Sequence, residues 1–327
     1  MKRLPLSRLG PAVLAAWAGA VSAAPLTFNT ALPISEDEWI LREQFVYMKN
    51  TDDPTPTNRR MEVSGLMSML GYGITRDIAV FAVLPYTDKR LSMDMGGQAI
   101  NRSQAGFGDA MFMGRYTAYE DNGSEYTFRI APFFGVKAPT GSDHASDSLG
   151  RLPPMLQSGS GTWDWQGGAV ASYQSLDWGA DAQLAHQADG EANGFRAGAV
   201  TRLDLSVQRR LWPSTLGEGV PSFLYGGLEA NLIHVAKDRV NGADDPNSGG
   251  TTLFLTPTLQ YVTRKWVLEA GVQIPVSQHL NGTALKNDYI LTTGFRLNFS
   301  GVAQCYCRCS GWRGRCSTST VLSMARA

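Results

Sequence analysis

The stretch Asp288-Tyr-Ile-Leu-Thr-Thr-Gly-Phe-Arg-Leu-Asn-Phe299 decides the fold. Tyr289, Leu291, Thr293, Phe295, Leu297 and Phe299 fall on one face, and Thr292, Gly294, Arg296 and Asn298 on the other. A period of two is that of a strand with one apolar and one polar side, and helical spacing does not fit it. The same alternation runs through Tyr126 to Ala138, where Tyr126, Phe128, Ile130, Phe134 and Val136 oppose Thr127, Arg129, Gly135 and Lys137. It recurs from Trp266 to Val276, where Leu268, Ala270, Val272 and Ile274 oppose Glu269, Gly271 and Gln273.

Twelve such segments follow one another, at 39–49, 61–74, 78–86, 106–119, 125–138, 162–175, 177–187, 197–210, 222–236, 250–263, 266–277 and 287–299. Most are longer than the five or six residues usual in soluble sheets, and they suit a strand tilted across a hydrocarbon core. The connections alternate long and short, with Leu211 to Pro221 the exception. Long external loops and short periplasmic turns mark outer-membrane barrels. The expected fold is therefore all-β, a transmembrane up-and-down antiparallel β-barrel of about twelve strands, with both chain ends in the periplasm.

Composition agrees by exclusion. With 29 basic and 29 acidic residues the formal net charge is zero, so no surplus of cations exists to neutralise nucleic-acid phosphates. Mean hydropathy is −0.17, and no apolar run past residue 24 is long enough for a transmembrane helix. Lys2, Arg3 and Arg8 ahead of the short apolar run Gly10 to Val21 read as a secretory leader, cut after Val21-Ser22-Ala23. The expected organisation is a signal peptide at 1–23, a short periplasmic segment at 24–38, the barrel at 39–299 and an unstructured tail at 300–327. All four cysteines (Cys305, Cys307, Cys309 and Cys316) lie in that tail, in no zinc-ligand spacing. The tail reads as translation beyond a normal end or as a periplasmic appendage.

Aromatic residues on the apolar phase gather at strand ends, where a ring with a polar tip suits the membrane interface. Trp39, Tyr116, Tyr126, Tyr173, Trp178, Tyr261 and Trp266 fall at the periplasmic end, Tyr47, Tyr86, Trp163 and Tyr289 at the external end, and Phe299 closes the last strand. The opposite phase supplies candidates for the lumen: Arg42, Glu62, Asp109, Arg115, Arg129, Lys137, Asp181, Arg202, Asp204, Glu229, Glu269 and Arg296. Mixed charges of this kind either pair across a narrow barrel or line a watery path. The Gly/Ser/Asp-rich loop Pro139 to Gly161 either folds inward over the passage or lies on the surface.

Three segments carry a family resemblance: Ile78 to Tyr86 (IAVFAVLPY), Gly106 to Tyr116 (GFGDAMFMGRY) and Phe133 to Gly141 (FFGVKAPTG). A strand ending in Pro-Tyr, then Gly-x-Gly-Asp opening a strand, then a strand ending in Pro-Thr-Gly resembles the outer-membrane transporter family named for the meta-pathway of phenol degradation. The resemblance implies a channel passing small hydrophobic or aromatic compounds. The strand ending at Phe299 resembles the signature by which barrel-insertion machinery recognises its clients. The expected partners are outer-membrane lipids, a small-molecule solute and that machinery, in a Gram-negative outer membrane.

A polar-solute porin is the alternative, and an outer-membrane lipid hydrolase the rival from another class. His144-Ala145-Ser146 places a base near a nucleophile, but in a Gly/Asp-rich loop with no group specified to orient the imidazole. His186, His234 and His279 fall in no metal-ligand spacing. The sequence therefore points to no catalytic residue, metal or cofactor.

Overall fold

The computed structural model describes residues 23–215 and 222–300. Twelve antiparallel strands close on themselves: β1 (Glu38–Asn50), β2 (Arg60–Gly73), β3 (Ile78–Met95), β4 (Gln98–Phe107 continued by Ala110–Tyr116), β5 (Tyr126–Ala138), β6 (Asp164–Ser175), β7 (Trp178–Ala188), β8 (Val200–Trp212), β9 (Ser222–Val235), β10 (Gly250–Thr263), β11 (Trp266–Leu280) and β12 (Tyr289–Ser300). Each pairs with the next, and β12 closes on β1 from Trp39↔Phe299 to Lys49↔Tyr289. Closure leaves no open ladder, which a sheet in lipid requires. Both ends of the barrel chain lie at the short-turn end. Residues 1–22 of the expected leader and the tail beyond Ser300 lie outside the described residues.

Alternation separates two environments. In β8, Leu203, Leu205 and Val207 are 44, 48 and 51% exposed on the outer face, while Asp204, Ser206 and Gln208 between them are 2% or less. One strand pair differs from the sequence reading. The stretch between 86 and 106 is not a loop: β3 and β4 continue as a hairpin to a turn at Gly96-Gly97, both with positive φ. On its β3 arm Leu91, Met93 and Met95 share the inner phase and the outer phase is polar (Asp88, Arg90, Ser92, Asp94), so no apolar face is turned outward as in the membrane-spanning strands. Gly108-Asp109 interrupts β4, and a short strand, Tyr119–Asn122, pairs with the start of β5. Among the loops, 191–196 and 239–244 pair with each other as a small four-stranded sheet.

The largest correction concerns the segment before β1. Read as a periplasmic stretch at 24–38, it instead enters the barrel, crosses the interior and returns to β1. Ala23, Ala24, Leu26, Phe28, Ala31 and Ile34 are all buried. This strap has no regular secondary structure, so its buried backbone groups must find side-chain partners. Its return path runs close to β2: a Cβ at Gly73 would collide with the carbonyl oxygen of Ser35, and one at Gly71 would sit 2.9 Å from the Ile34 side chain.

Candidate functional site

The candidate site is the barrel interior at the level of the strap. On the polar side, Glu229 of β9 accepts the backbone N–H of Leu26 (2.6 Å) and of Thr27 (3.1 Å), together with the Thr27 hydroxyl. Gln260 of β10 both accepts the N–H of Ala24 (3.2 Å) and donates to its carbonyl. Arg42 of β1 donates to the carbonyls of Pro25 and Leu26 and pairs with Glu269 of β11 at 2.6 Å; Gln44 donates to Leu26 and Glu269 as well. Arg202 pairs with Asp204 at 3.0 Å and reaches the Thr27 carbonyl. Asn231 donates to Thr27 Oγ1 and to Asp204, and Gln183 donates to Asp204. Across the barrel, Asp181 accepts from Ser172 and Thr30, and the Ser172 hydroxyl accepts the N–H of Ala31 at 2.7 Å. Arg115 donates to the carbonyls of Thr30 and Leu32 while lying over the Phe81 ring at 5.0 Å.

The opposite wall is apolar. Ala31 and Ile34 pack against Ala79, Phe81, Met113, Ala131, Phe133 and Val170, all buried, on the inner face of β3 to β6. Sequence reasoning missed these residues because the inner phase there is not polar: Phe133-Phe134 and Met111-Phe112-Met113 are apolar on both phases. It also passed over the uncharged inner residues Gln183, Asn231 and Gln260, which carry no charge to mark them.

Of the twelve lumen candidates, eleven are on the inner face. Arg42, Arg115, Asp181, Arg202, Asp204, Glu229, Glu269 and Arg296 gather at or near the strap, four cations with four carboxylates. Arg129 lies nearer the short-turn end, bonded to Glu120 at 2.7 Å. Toward the long-loop end, Lys137 sits among Asp164, Asp109 (3.8 Å) and Asp189 (4.0 Å). Asp109 accepts the N–H groups of Gly141 and Ser160, tying the loop 139–161 to the mouth. That loop folds inward, with Leu152 and Leu156 buried against Met61 and Leu91. Glu62 is the exception and corrects the reading: it is exposed on the outer face, between Lys49 and Arg90 in register. The phase of β2 was not legible because Met61, Val63, Met67 and Met69 alternate with Leu66 and Leu70, and the neighbouring cations then set a cross-strand charge ladder.

The aromatic residues form contacts near the two strand ends. At the short-turn end Trp39 packs on Tyr72 (4.5 Å), Tyr126 stacks on Tyr173 (5.6 Å), and Trp266 lies between Tyr261 (5.6 Å) and Phe295 (6.4 Å). Arg209 covers Trp178, Tyr116 is exposed, and Phe299 faces Trp39 in register. At the long-loop end Tyr47 approaches Tyr289 (6.2 Å) and Tyr86 meets Phe107 (5.2 Å), with Trp163 exposed just before β6. His144 is 83% exposed and its ring bonds to Asp143 at 2.9 Å, an orienting partner the sequence did not reveal.

A closed barrel with these motifs matches a known family model. Residues 62–283 fit the family described as "Putative MetA-pathway of phenol degradation". The chain belongs to this family. Among solved structures it is similar to the COG4313 outer membrane channel from Pseudomonas putida F1, with 14% identity over 85% of this chain and all of that one, at a TM-score of 0.63. A weaker likeness is to the translocator domain of the autotransporter NalP from Neisseria meningitidis, with 13% identity over 80% of this chain and 88% of that one, at a TM-score of 0.40. No curated protein matches the chain. At such identities the likeness is one of fold, and the fold is that of an outer-membrane channel barrel.

Proposed function

We propose that this barrel is an outer-membrane channel for passive uptake of small hydrophobic or aromatic compounds. The observation that carries the reading is an interior crossed by a hydrogen-bonded strap, with one wall apolar from Phe81 to Val170. A crossed interior suits a polar-solute porin poorly, and an apolar wall offers a hydrophobic solute contacts that water does not compete for. On the outer face of β1 to β5, Trp39, Leu70, Tyr72, Val80, Phe112 and Phe134 line an apolar concavity of about 640 Å³, which suits a compound arriving from the bilayer.

The lumen candidates named above are proposed to hold the strap rather than to select a solute by charge. Catalysis has no place in this reading, because His144 lies exposed in a loop. Export follows removal of a leader after Ala23, which N-terminal sequencing of the outer-membrane protein checks. The functional test is planar-bilayer conductance beside uptake of an aromatic solute into proteoliposomes. Small ion currents with solute uptake are expected; large steady currents without aromatic uptake overturn the reading.

A further inference from the structure

Three of the four histidines in the chain lie in one straight row across five strands. The register runs His186↔Thr201↔His234↔Thr251↔His279, on β7, β8, β9, β10 and β11. Side-chain bonds confirm the shared face: His186 to Thr201 and His234 to Thr251, both at 2.9 Å, and His279 to Ser277 at 3.3 Å. All three rings are on the outer face, exposed to the surroundings.

The row marks the upper edge of the apolar band. Below His186 come Leu184 and Trp178, below Thr201 come Leu203, Leu205 and Val207, and below His234 come Leu232 and Leu228, all exposed. From Tyr261 to Thr251 the strand climbs about 33 Å, or about 25 Å along the membrane normal, the height of a barrel's apolar band. Elsewhere the same edge carries Tyr47, Tyr86, Trp163 and Tyr289. On β7 to β11 the outer edge has no tyrosine or tryptophan, and histidine and threonine take its place.

Two features narrow what this arc can bind. Histidines two strands apart are about 10 Å from each other, too far to share one metal ion. The positions around them in the sheet are uncharged: Gly167, Leu184, Ala188 and Thr201 around His186, Leu232 and the two threonines around His234, and Thr251 and Ser277 beside His279. In the loops beyond, Asp189 faces Lys137, Asp238 accepts the N–H of Gly198 and Lys286 pairs with Asp52. Glu191, Arg196 and Lys237 add charges of both signs there. The arc is thus neutral when its imidazoles are neutral and positive when they are protonated, whereas the outer face of β1 and β3 carries Lys49 and Arg90.

We propose that this histidine row is a seat for anionic lipid headgroups of the outer leaflet, gripped more firmly as the surroundings acidify. The long-loop end faces outward in barrels of this kind, so the row meets headgroup phosphates at the level where imidazolium can donate to them. Imidazole as a chemical group gains its charge on acidification across neutrality, so the row is compared at about pH 7.5 and about pH 5.5.

The test uses the purified full chain, equilibrated with mixed phosphatidylglycerol and phosphatidylcholine, with retained lipids counted by native mass spectrometry at those two acidities. Phosphatidylglycerol keeps its charge across this range, so any change belongs to the protein. Retention relative to phosphatidylcholine is expected to rise about fivefold or more on acidification, the worth of one cation at an anionic surface. The triple variant His186→Gln, His234→Gln, His279→Gln is expected to lose the rise, and His144→Gln to keep it. The heat-modifiable gel shift reports folding, and if the triple variant lacks it, the three single variants are read instead, each losing part of the rise. Retention indifferent to acidity in the wild type, or a full rise in the triple or in every single variant, overturns the proposal.

Discussion

On the β3 to β6 side of the interior, the side chains of Ala31 and Ile34 pack on Phe81, Met113 and Phe133, and Ser172 and Arg115 bond to the strap backbone from Thr30 to Leu32. On the β8 to β11 side, Leu26 and Thr27 are held by Glu229, Asn231, Arg202 and, through Arg42, Glu269. Apolar contact is non-directional and tolerates sliding, whereas a carboxylate accepting two successive N–H groups fixes which residue stands where. The polar half therefore sets the register of the strap at Leu26 and Thr27, while the apolar half adds bulk adhesion to the backbone bonds that Ser172 and Arg115 make at Thr30 to Leu32. The same division would present a solute with one greasy wall and one charged wall.

The widest break in this comparison comes from removing residues 24–34, which withdraws the partner of both walls at once. Single-channel conductance is expected to rise about tenfold, as a narrow barrel becomes an open one, while the heat-modifiable gel shift persists. An unchanged current would mean that the strap does not limit passage.

Breaking only the apolar half comes next. Phe81→Ala leaves a void between the strap and β3, and is expected to lower unfolding stability in detergent by about 3–5 kcal/mol. Because no hydrogen bond to the strap is removed, its register should hold, and a thiol introduced at Thr27 should remain protected from reagent.

Breaking only the polar half is expected to do the reverse at smaller cost. Glu229→Ala orphans two buried N–H groups, and a loss of about 2–3 kcal/mol is expected, with the thiol at position 27 becoming reactive. Glu229→Gln keeps one acceptor and should lie between. Equal thiol protection in Phe81→Ala and Glu229→Ala would erase the distinction between the halves.

The smallest effect lies outside both halves, at the long-loop rim. Arg59 and the hydroxyl of Thr55 hold the Asp53 carboxyl below the usual carboxylate range. With its folded value below the unfolded one, its contribution is complete above about pH 4 and fades only as the pH falls through the lower, folded value. Hydrogen exchange of 51–59 should therefore stay slow on acidification to about pH 4, and Asp53→Asn should speed it at neutral pH without altering conductance.

The strands were legible because period two is a local property, visible in Tyr289 to Phe299 without any neighbour. Inner-face charges were legible for the same reason, and eleven of the candidates followed from phase alone. Glu62 failed where β2 is apolar on both phases. The hairpin of β3 and β4 was missed because its outer phase, Asp88, Arg90, Ser92 and Asp94, is polar and so lacks the lipid-facing alternation. Phe81, Met113 and Phe133 were hidden because an apolar residue facing inward looks, in sequence, like one facing lipid.

By itself the sequence determined a twelve-stranded barrel and its family, since each rests on spacing or motif along the chain. Only the tertiary structure decided that residues 23–37 cross the interior. Leu26 and Glu229, or Ala24 and Gln260, are joined by closure of the sheet, and no pattern along the chain encodes such a meeting. The histidine row has the same origin: three residues far apart in sequence become neighbours through the register of five strands.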